Sequence, residues 1–205
     1  MAKIKFTKGE LKRQRDALKQ YKRYLPTLHL KKKQLQLEIH RQTSLLKKKH
    51  AQEESDVRQA RVWAGLLSDT TIDLTHWSVP EYIRTSRRNI AGVDIPVCDG
   101  VDFGPTDYDL FSMPAWIDHA LSELRAIVVL RTELAILTEG LGALKAELPT
   151  TTQRVNLFEK VKIPQTEDAI RRIKIYIGDQ MTNAVGRSKI AKQKIEKTLA
   201  EGVLI

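Results

Sequence analysis

The first third of the chain carries a regular apolar stripe, and this stripe restricts the folds open to the chain. Counted in sevens, the two stripe positions hold Leu11, Leu18, Leu25, Lys32, Ile39, Leu46 and Glu53, and Gln14, Tyr21, Leu28, Leu35, Gln42 and Lys49. Alternating steps of three and four residues predict a helix with a narrow apolar seam, as in a coiled coil. Sixty such residues would form a helix about 90 Å long. One helix cannot bury its own stripe, so a partner helix must lie along it.

The partner is predicted within the same chain, because a second stripe follows near the C-terminus. We expect an antiparallel hairpin in which residues near Leu18 lie close to residues near Ile190, with a kink at Pro26 and kinks or breaks at Pro149 and Pro164. The predicted seam consists of Leu11, Leu18, Leu25, Leu28, Leu35, Ile39, Leu46, Ile170, Ile173, Ile177, Met181, Ala184, Ala191 and Ile195.

Between the two helices lies a small region with a different pattern. Val93, Ile95 and Val97 alternate with polar residues or proline, which indicates a strand, and residues 81–90 are the expected partner strand across an Ala91-Gly92 turn. Residues 99–109 read as a solvated acidic loop rather than a calcium site, since their spacing differs from that of an EF-hand. The predicted fold is mainly α, a long antiparallel two-helix coiled coil with a small central head that contains a short β-hairpin. The predicted segments are an N-terminal helix (1–67), the head (68–115) and a returning helix (116–205).

The helical pattern after residue 116 is apolar on more than one face, as Ile127, Val129 and Leu130 add to the main stripe. A helix of this kind has more than one neighbour. One neighbour is the end of the first helix. The other is either the small head or a second protein.

The net charge of +10 is unevenly distributed, at +13 in residues 1–50, −8 in residues 51–150 and +5 in residues 151–205. In an antiparallel hairpin the two basic ends converge on one tip. The residues predicted to form this basic tip are Lys3, Lys5, Lys8, Lys12, Arg13, Arg15, Arg187, Lys189, Lys192, Lys194 and Lys197. Their like charges repel, so we expect an acidic surface of a partner to face them.

Sequence signals of enzyme chemistry are missing. The chain has no phosphate-binding loop and no nucleophile elbow, and its five histidines follow no metal-ligand spacing. We therefore expect no catalytic residues, no metal and no cofactor. Its one cysteine favours a reducing compartment, and no apolar run is long enough to span a bilayer.

Three stretches of this sequence resemble one known family. They are Lys5–Leu11 with Leu30–Lys33 and Leu35, then Asn89–Pro96, and then Thr152–Glu159 with Ile163-Pro164 and Ile170–Ile173. Together they resemble the D subunit of the V-type (V/A-type) ATPases and ATP synthases. The R-V-N-x-x-E…I-P pattern in the third stretch is the most specific, and the order of all three agrees.

This resemblance implies a central rotor stalk that couples ATP turnover to proton or sodium transport. It also implies the F subunit as a stalk partner, a hexamer of A and B subunits around the paired termini, and the C (d) subunit above the membrane ring. The expected location is peripheral, on the cytoplasmic face of the membrane. From the residues alone, two alternatives remain open: a basic helical hairpin that binds RNA, and a coiled-coil scaffold.

Overall fold

The computed structural model describes residues 5–65, 74–107 and 113–202. Lys3, Leu67 and Asp109, which belong to three of the predictions above, lie outside these ranges. The elements are α1 (Lys8–Ala60), α2 (Thr75–Ser78), β1 (Pro80–Ile90), β2 (Val93–Phe103), α3 (Ile117–Asn156), a π-helical segment (Leu157–Lys162) and α4 (Ile163–Gly202). The mainly α prediction with one β-hairpin is confirmed.

The chain divides into two compact units. The first, here called the terminal unit, combines Met1–His29 with Gln153–Ile205, and the second, the middle unit, is Leu30–Thr152. In each unit a segment of α1 pairs with a later helix of the chain. The two units therefore repeat the same antiparallel arrangement.

Helix α1 begins at a polar cap. Thr7 Oγ1 accepts a hydrogen bond from the backbone N–H of Glu10 at 3.2 Å, which satisfies one of the free donors of the first turn. Glu10 in turn accepts a bond from Gln14 Nε2 at 2.7 Å. Pro26 lies inside the helix, which continues across it to Ala60.

In the terminal unit, α1 pairs with the π-helical segment and with α4. The rings of Phe6 and Tyr176 lie 5.0 Å apart, and Lys22 Nζ is 2.7 Å from Glu167 Oε1. Tyr21 meets Phe158 edge to face at 5.3 Å. Phe6, near the start of α1, thus contacts a later residue of the returning helix than Tyr21 does. The pair is therefore antiparallel, as predicted.

In the middle unit, α1 pairs with α3. Lys31 Nζ lies 2.9 Å from Glu147 Oε1, Lys49 pairs with Glu133, and Arg131 Nε donates to Glu53 Oε1 at 2.8 Å. Lys49 and Glu53 occupy stripe positions that the pattern fills with apolar groups elsewhere. These polar interruptions thus supply ion pairs between the two helices.

The strands β1 and β2 form an antiparallel hairpin. Both turn residues have positive φ, 51° at Ala91 and 79° at Gly92, as in the tight turns that match strand twist. Ile95 of β2 packs between Leu35 of α1 and Leu144 of α3, and all three are almost fully buried. The hairpin is therefore a neighbour of α3 besides α1, in agreement with the first of the two alternatives for this helix.

The acidic loop predicted at residues 99–109 begins later than expected, because β2 continues to Phe103. Asp99 is the extra residue of a bulge in β2, where it accepts a bond from Ser86 Oγ at 3.0 Å. Asp102 accepts one from Arg84 Nη2 at 2.9 Å. Cross-strand partners for these carboxylates stabilise the longer strand.

A second apolar cluster joins the end of the α1 region to the start of α3. It contains Leu74, Ile117 and Ala120, packed against Trp63, Trp77, Met113, Trp116 and Leu124. Trp63 Nε1 donates to Glu123 Oε2 at 2.5 Å. This cluster contains all three tryptophans of the chain.

The returning helix is continuous but not uniform. Pro149 lies inside α3, and six π-helical residues precede α4, whose second residue is Pro164. The N–H of Ile163 donates to the carbonyl of Phe158, five residues earlier. Because Pro164 has no N–H to offer the carbonyl four residues before it, an α-helical turn here would lose one hydrogen bond. The chain winds more loosely at this point instead of breaking.

Candidate interaction surface

Among the described helices, the longest run of exposed residues is the last part of α4. Beyond Tyr176, which contacts Phe6, helix α4 continues to Gly202, a further length of about 39 Å at the α-helical rise. Side chains 178–199 are all exposed. This segment, here called the α4 extension, has no helix packed along it among the described residues.

The α4 extension is both apolar and basic. Met181 is 54% exposed, Val185 56%, Ile195 61% and Leu199 65%. Five cations follow within a few turns, at Arg187, Lys189, Lys192, Lys194 and Lys197. Exposed apolar groups on this scale are typical of a surface that binds a protein.

Part of the predicted seam is therefore wrong. The seam residues that are buried are Ile170 and Ile173 in the terminal unit and Leu35 in the middle unit. The half-buried ones are Leu11, Leu18, Leu25, Leu28 and Ile177 in the terminal unit, and Ile39 and Leu46 in the middle unit. Met181, Ala184, Ala191 and Ile195 are exposed. The reason is the register of the pair: α1 begins at Lys8, and no helix among the described residues lies beside those four side chains.

The prediction that residues near Leu18 lie close to residues near Ile190 is wrong for the same reason. The ring contacts Phe6–Tyr176 and Tyr21–Phe158 place Leu18 beside the junction of the π-helical segment with α4, more than twenty residues before Ile190. The sequence showed that the two stripes are compatible but not how far each extends past the other.

The basic residues of the predicted tip that the structure describes are all exposed. They do not converge. Lys5 to Arg15 lie beside the part of α4 that ends near Tyr176, whereas the second cluster starts at Arg187, about 16 Å further along the helix. The two clusters follow one another along the terminal unit, which reduces the repulsion expected for a shared tip.

One carboxyl has a clearly shifted pKa. The hydrogen bond from Arg131 holds the pKa of Glu53 below its usual value, and the charges of Arg131 and His50 act in the same direction against the effect of burial. The shift belongs to an ion pair between helices and not to a catalytic cleft.

Within residues 5–65, 74–107 and 113–202, no group of His, Cys, Asp and Glu side chains is arranged to hold a metal ion. Over the same ranges, no helix combines the length and the apolar character that a membrane span needs.

Comparison with known proteins identifies the family. The sequence profile described as the ATP synthase D subunit matches residues 10–193. The chain belongs to the ATP synthase D-subunit family. The V-type ATP synthase D subunit of Borreliella burgdorferi is 41% identical over 197 residues, which cover 96% of this chain and 97% of that protein. The protein of the same name from Chlamydia pneumoniae is 35% identical over 205 residues, which cover 97% of this chain and 96% of that protein.

The D-subunit match includes most of the α4 extension, which sequence reasoning assigned to the seam. The sequence did indicate that part of the returning helix stays unpaired, through the different lengths of the two predicted helical segments. The returning segment, residues 116–205, is half as long again as the first segment, residues 8–67. A hairpin of the two therefore leaves part of the returning helix without a partner helix, unless the head packs against that part.

Proposed function

We propose that this chain is the central-stalk subunit of a V-type ATP synthase or ATPase. Its membership of the D-subunit family supports a place in that complex as a structural subunit that associates with other subunits. The finer proposal is that it turns as a rotor. Torque would then pass along the paired helices and couple ATP turnover to ion transport.

The α4 extension is the observation that carries the rotor proposal. It presents exposed apolar groups and five cations on a helix end with no described partner along it. A cavity lined by surrounding subunits would cover such an end from all sides. We assign the hexamer of A and B subunits as the occupant of this surface, with acidic groups on its inner wall.

The pairing of the helices supports transmission of torque. In each unit, side chains from α1 form ion pairs with the returning helix, as at Lys22–Glu167 and Lys31–Glu147. Each exposed pair contributes about 0–1 kcal/mol. Their physical effect is to oppose sliding of one helix along the other, which a shaft under load requires.

The remaining partners follow from the family. The F subunit would bind the stalk, and the head would dock on the C (d) subunit above the membrane ring. In this arrangement the chain is a peripheral component at the membrane. ATP would be bound and hydrolysed by the A and B subunits, with this chain contributing no catalytic group.

A reversible cross-link tests rotation. Val185 is 56% exposed in the α4 extension, so Val185→Cys in a Cys98→Ser background places one thiol there. A second cysteine is introduced in the facing wall of the purified complex. We expect oxidation to stop ATP hydrolysis and a reductant to restore it, because a disulfide fixes the rotor to its surroundings.

The control carries the Val185→Cys thiol alone and should keep its activity under oxidation. If the cross-link forms in high yield and ATP hydrolysis continues at the uncross-linked rate, the α4 extension does not rotate relative to the hexamer.

A further inference from the structure

The returning helix of the terminal unit contains one residue more than its buried side requires. That side is marked by buried and half-buried residues, namely Val155, Phe158, Ile163, Thr166, Ile170 and Ile173. Steps of three or four residues separate them, as on one side of an α-helix, except for the step of five from Phe158 to Ile163. The π-helical segment lies at this step, and there the N–H of Ile163 donates to the carbonyl of Phe158. The segment thus takes up the extra residue, and the same side of the helix stays buried before and after it.

The π-helical segment also leaves one backbone carbonyl without a helical donor. The carbonyl of Glu159 would accept from residue 163 in an α-helix and from residue 164 in a π-helix. The N–H of Ile163 is directed to Phe158, and Pro164 has no N–H. The returning helix is therefore held by fewer backbone hydrogen bonds here than in its α-helical parts.

Helix α1 has a similar gap at the same level. Pro26 lies inside α1 and has no N–H for the carbonyl four residues before it. On one side of Pro26, the ring of Tyr21 meets that of Phe158 at 5.3 Å. On the other side, His29 Nε2 lies 3.9 Å from Glu159 Oε2. Pro26 therefore lies beside the start of the π-helical segment, and both helices of the pair lack a backbone hydrogen bond at one level.

Side-chain packing is also sparse at this level of the returning helix. Within the π-helical segment Phe158 is half-buried and the other side chains are exposed, among them Leu157 at 44% and Val161 at 38%. Val155 before the segment and Ile173 after it are 1% and 0% exposed. A stretch with few buried contacts and missing backbone hydrogen bonds deforms at a lower free-energy cost than the packed parts on either side.

We propose that Pro26 and the π-helical segment form a flexible joint in the terminal unit, at which the helix pair bends and twists while the seam on either side stays packed. Kinks in helices concentrate at prolines and at π-bulges, and here the two lie side by side. The proposal adds to the rotor function only the place at which the stalk yields under torque, and it is tested on the isolated chain.

A pair of single-residue deletions tests the extra residue. Without the exposed Lys160, Ile163 follows Phe158 at the α-helical step of four, and the seam keeps its phase. We expect this deletion to keep or raise the melting temperature of the chain, because a regular α-helix replaces the π turn. Deletion of the exposed Arg172 removes the same charge but shifts Ile173 out of the seam, and it should lower the melting temperature by at least about 5 °C. Equal losses from both deletions, or a chain that does not fold without Lys160, overturn the proposal.

Distances measured by pulsed electron paramagnetic resonance test the flexibility of the joint. Nitroxide labels on Arg154→Cys and Lys174→Cys, both at exposed sites, lie on either side of the joint in a Cys98→Ser background. A second pair, on Ala126→Cys and Ala146→Cys, has the same spacing within a part of α3 that contains no proline. We expect the distance distribution of the first pair to be about twice as broad as that of the second, since bending concentrates at prolines and π-bulges.

A stiffened variant lacks Lys160 and carries Pro164→Ala, so that α-helical hydrogen bonds run through the segment. Its distribution for labels at positions 154 and 174 should narrow to the width of the α3 pair. A wild-type distribution as narrow as that of the α3 pair, or one that the stiffened variant leaves unchanged, shows that the π-helical segment is rigid and overturns the proposal. Either result leaves the rotor proposal standing, since rotation in the complex does not depend on where the chain bends.

Discussion

At the scale of single residues, Arg125 combines three contacts in one side chain. Its Nε donates to the carbonyl of Trp77 at 3.0 Å and its Nη2 to the carbonyl of Gly104 at 3.1 Å. The guanidinium also lies over the ring of Phe103, 5.0 Å from the ring centre. One side chain therefore connects α3 to α2 and to the end of β2.

We predict that Arg125→Lys destabilises the chain by about 1–3 kcal/mol, although the charge is kept. An ammonium group cannot reach both carbonyls in the planar geometry that a guanidinium provides, so one acceptor loses its partner. Urea unfolding at neutral pH measures the loss. The control is Arg84→Lys, an exposed arginine with one ion pair, which should cost less. Equal effects of the two substitutions would contradict the proposed role of Arg125.

Glu53 gives a prediction for pH. Its pKa is lowered by Arg131, so its ion pair stabilises the folded state above the usual carboxyl pKa of about 4.5 and is lost as pH falls through the lower value. Glu53→Gln should reduce the free energy of unfolding near pH 7 by less than about 1 kcal/mol, since Arg131 is exposed. Near pH 3 the difference from wild type should shrink.

The control for Glu53 is its neighbour Glu54, which is exposed on the same helix. Glu54→Gln should leave the pH dependence unchanged. Unfolding curves at several pH values distinguish the two, and a Glu53→Gln deficit that stays constant from neutral to acid pH would show that the carboxylate charge is not responsible.

At the scale of elements, the two glycines Gly92 and Gly142 have opposite roles. Gly92 lies in the hairpin turn with φ 79°. An added Cβ would have room there, since the nearest atom is Lys31 Nζ at 3.8 Å, but this positive φ strains the backbone of any residue with a side chain. Gly142 lies inside α3 with nothing within 4 Å of an added Cβ. The turn requires glycine and the helix does not.

We predict opposite signs for the same substitution at these two positions. Gly92→Ala should lower the free energy of unfolding by about 1 kcal/mol, the cost of a left-handed residue with a Cβ. Gly142→Ala should raise it by up to about 1 kcal/mol, because alanine favours helix. Thermal unfolding of both variants beside wild type is the measurement. Stabilisation by Gly92→Ala would show that the turn does not hold its positive φ in solution.

At the scale of the whole molecule, charge is concentrated in surfaces that the fold leaves exposed. Lys189, Lys192 and Lys194 lie in the α4 extension, where their side chains face solvent. Within the extension, Lys192 Nζ is 3.7 Å from Glu196 Oε1, a weak surface pair. These cations are therefore free to attract an acidic partner over distances comparable to the Debye length, about 10 Å at 0.1 M salt.

We predict that changing these three lysines to glutamine slows assembly with the hexamer of A and B subunits at low salt and has little effect at high salt. Association rates measured against ionic strength test this. A control with Lys33, Lys47 and Lys48 changed to glutamine removes the same charge from exposed sites of the middle unit. If both triple variants associate equally fast, net charge matters and the position of the α4 extension does not.

The sequence by itself determined the secondary structure and the pairing partner. Steps of three and four residues require a helix with a seam, and two such stripes in one chain predict an antiparallel hairpin. The alternation around Ile95 and the Ala91-Gly92 pair predicted the β-hairpin, because strand and turn are local properties. The R-V-N-x-x-E…I-P stretch indicated the family.

Only the tertiary structure decided the axial register of the paired helices and which of their surfaces stay exposed. A heptad stripe repeats every seven residues, so it is compatible with many axial offsets, and the ring contacts Phe6–Tyr176 and Tyr21–Phe158 select one of them. That offset separates the two basic clusters and exposes Met181 and Ile195. The same applies to the buried cluster of Leu35, Ile95 and Leu144, which joins three elements that are distant in sequence and which no local pattern predicts.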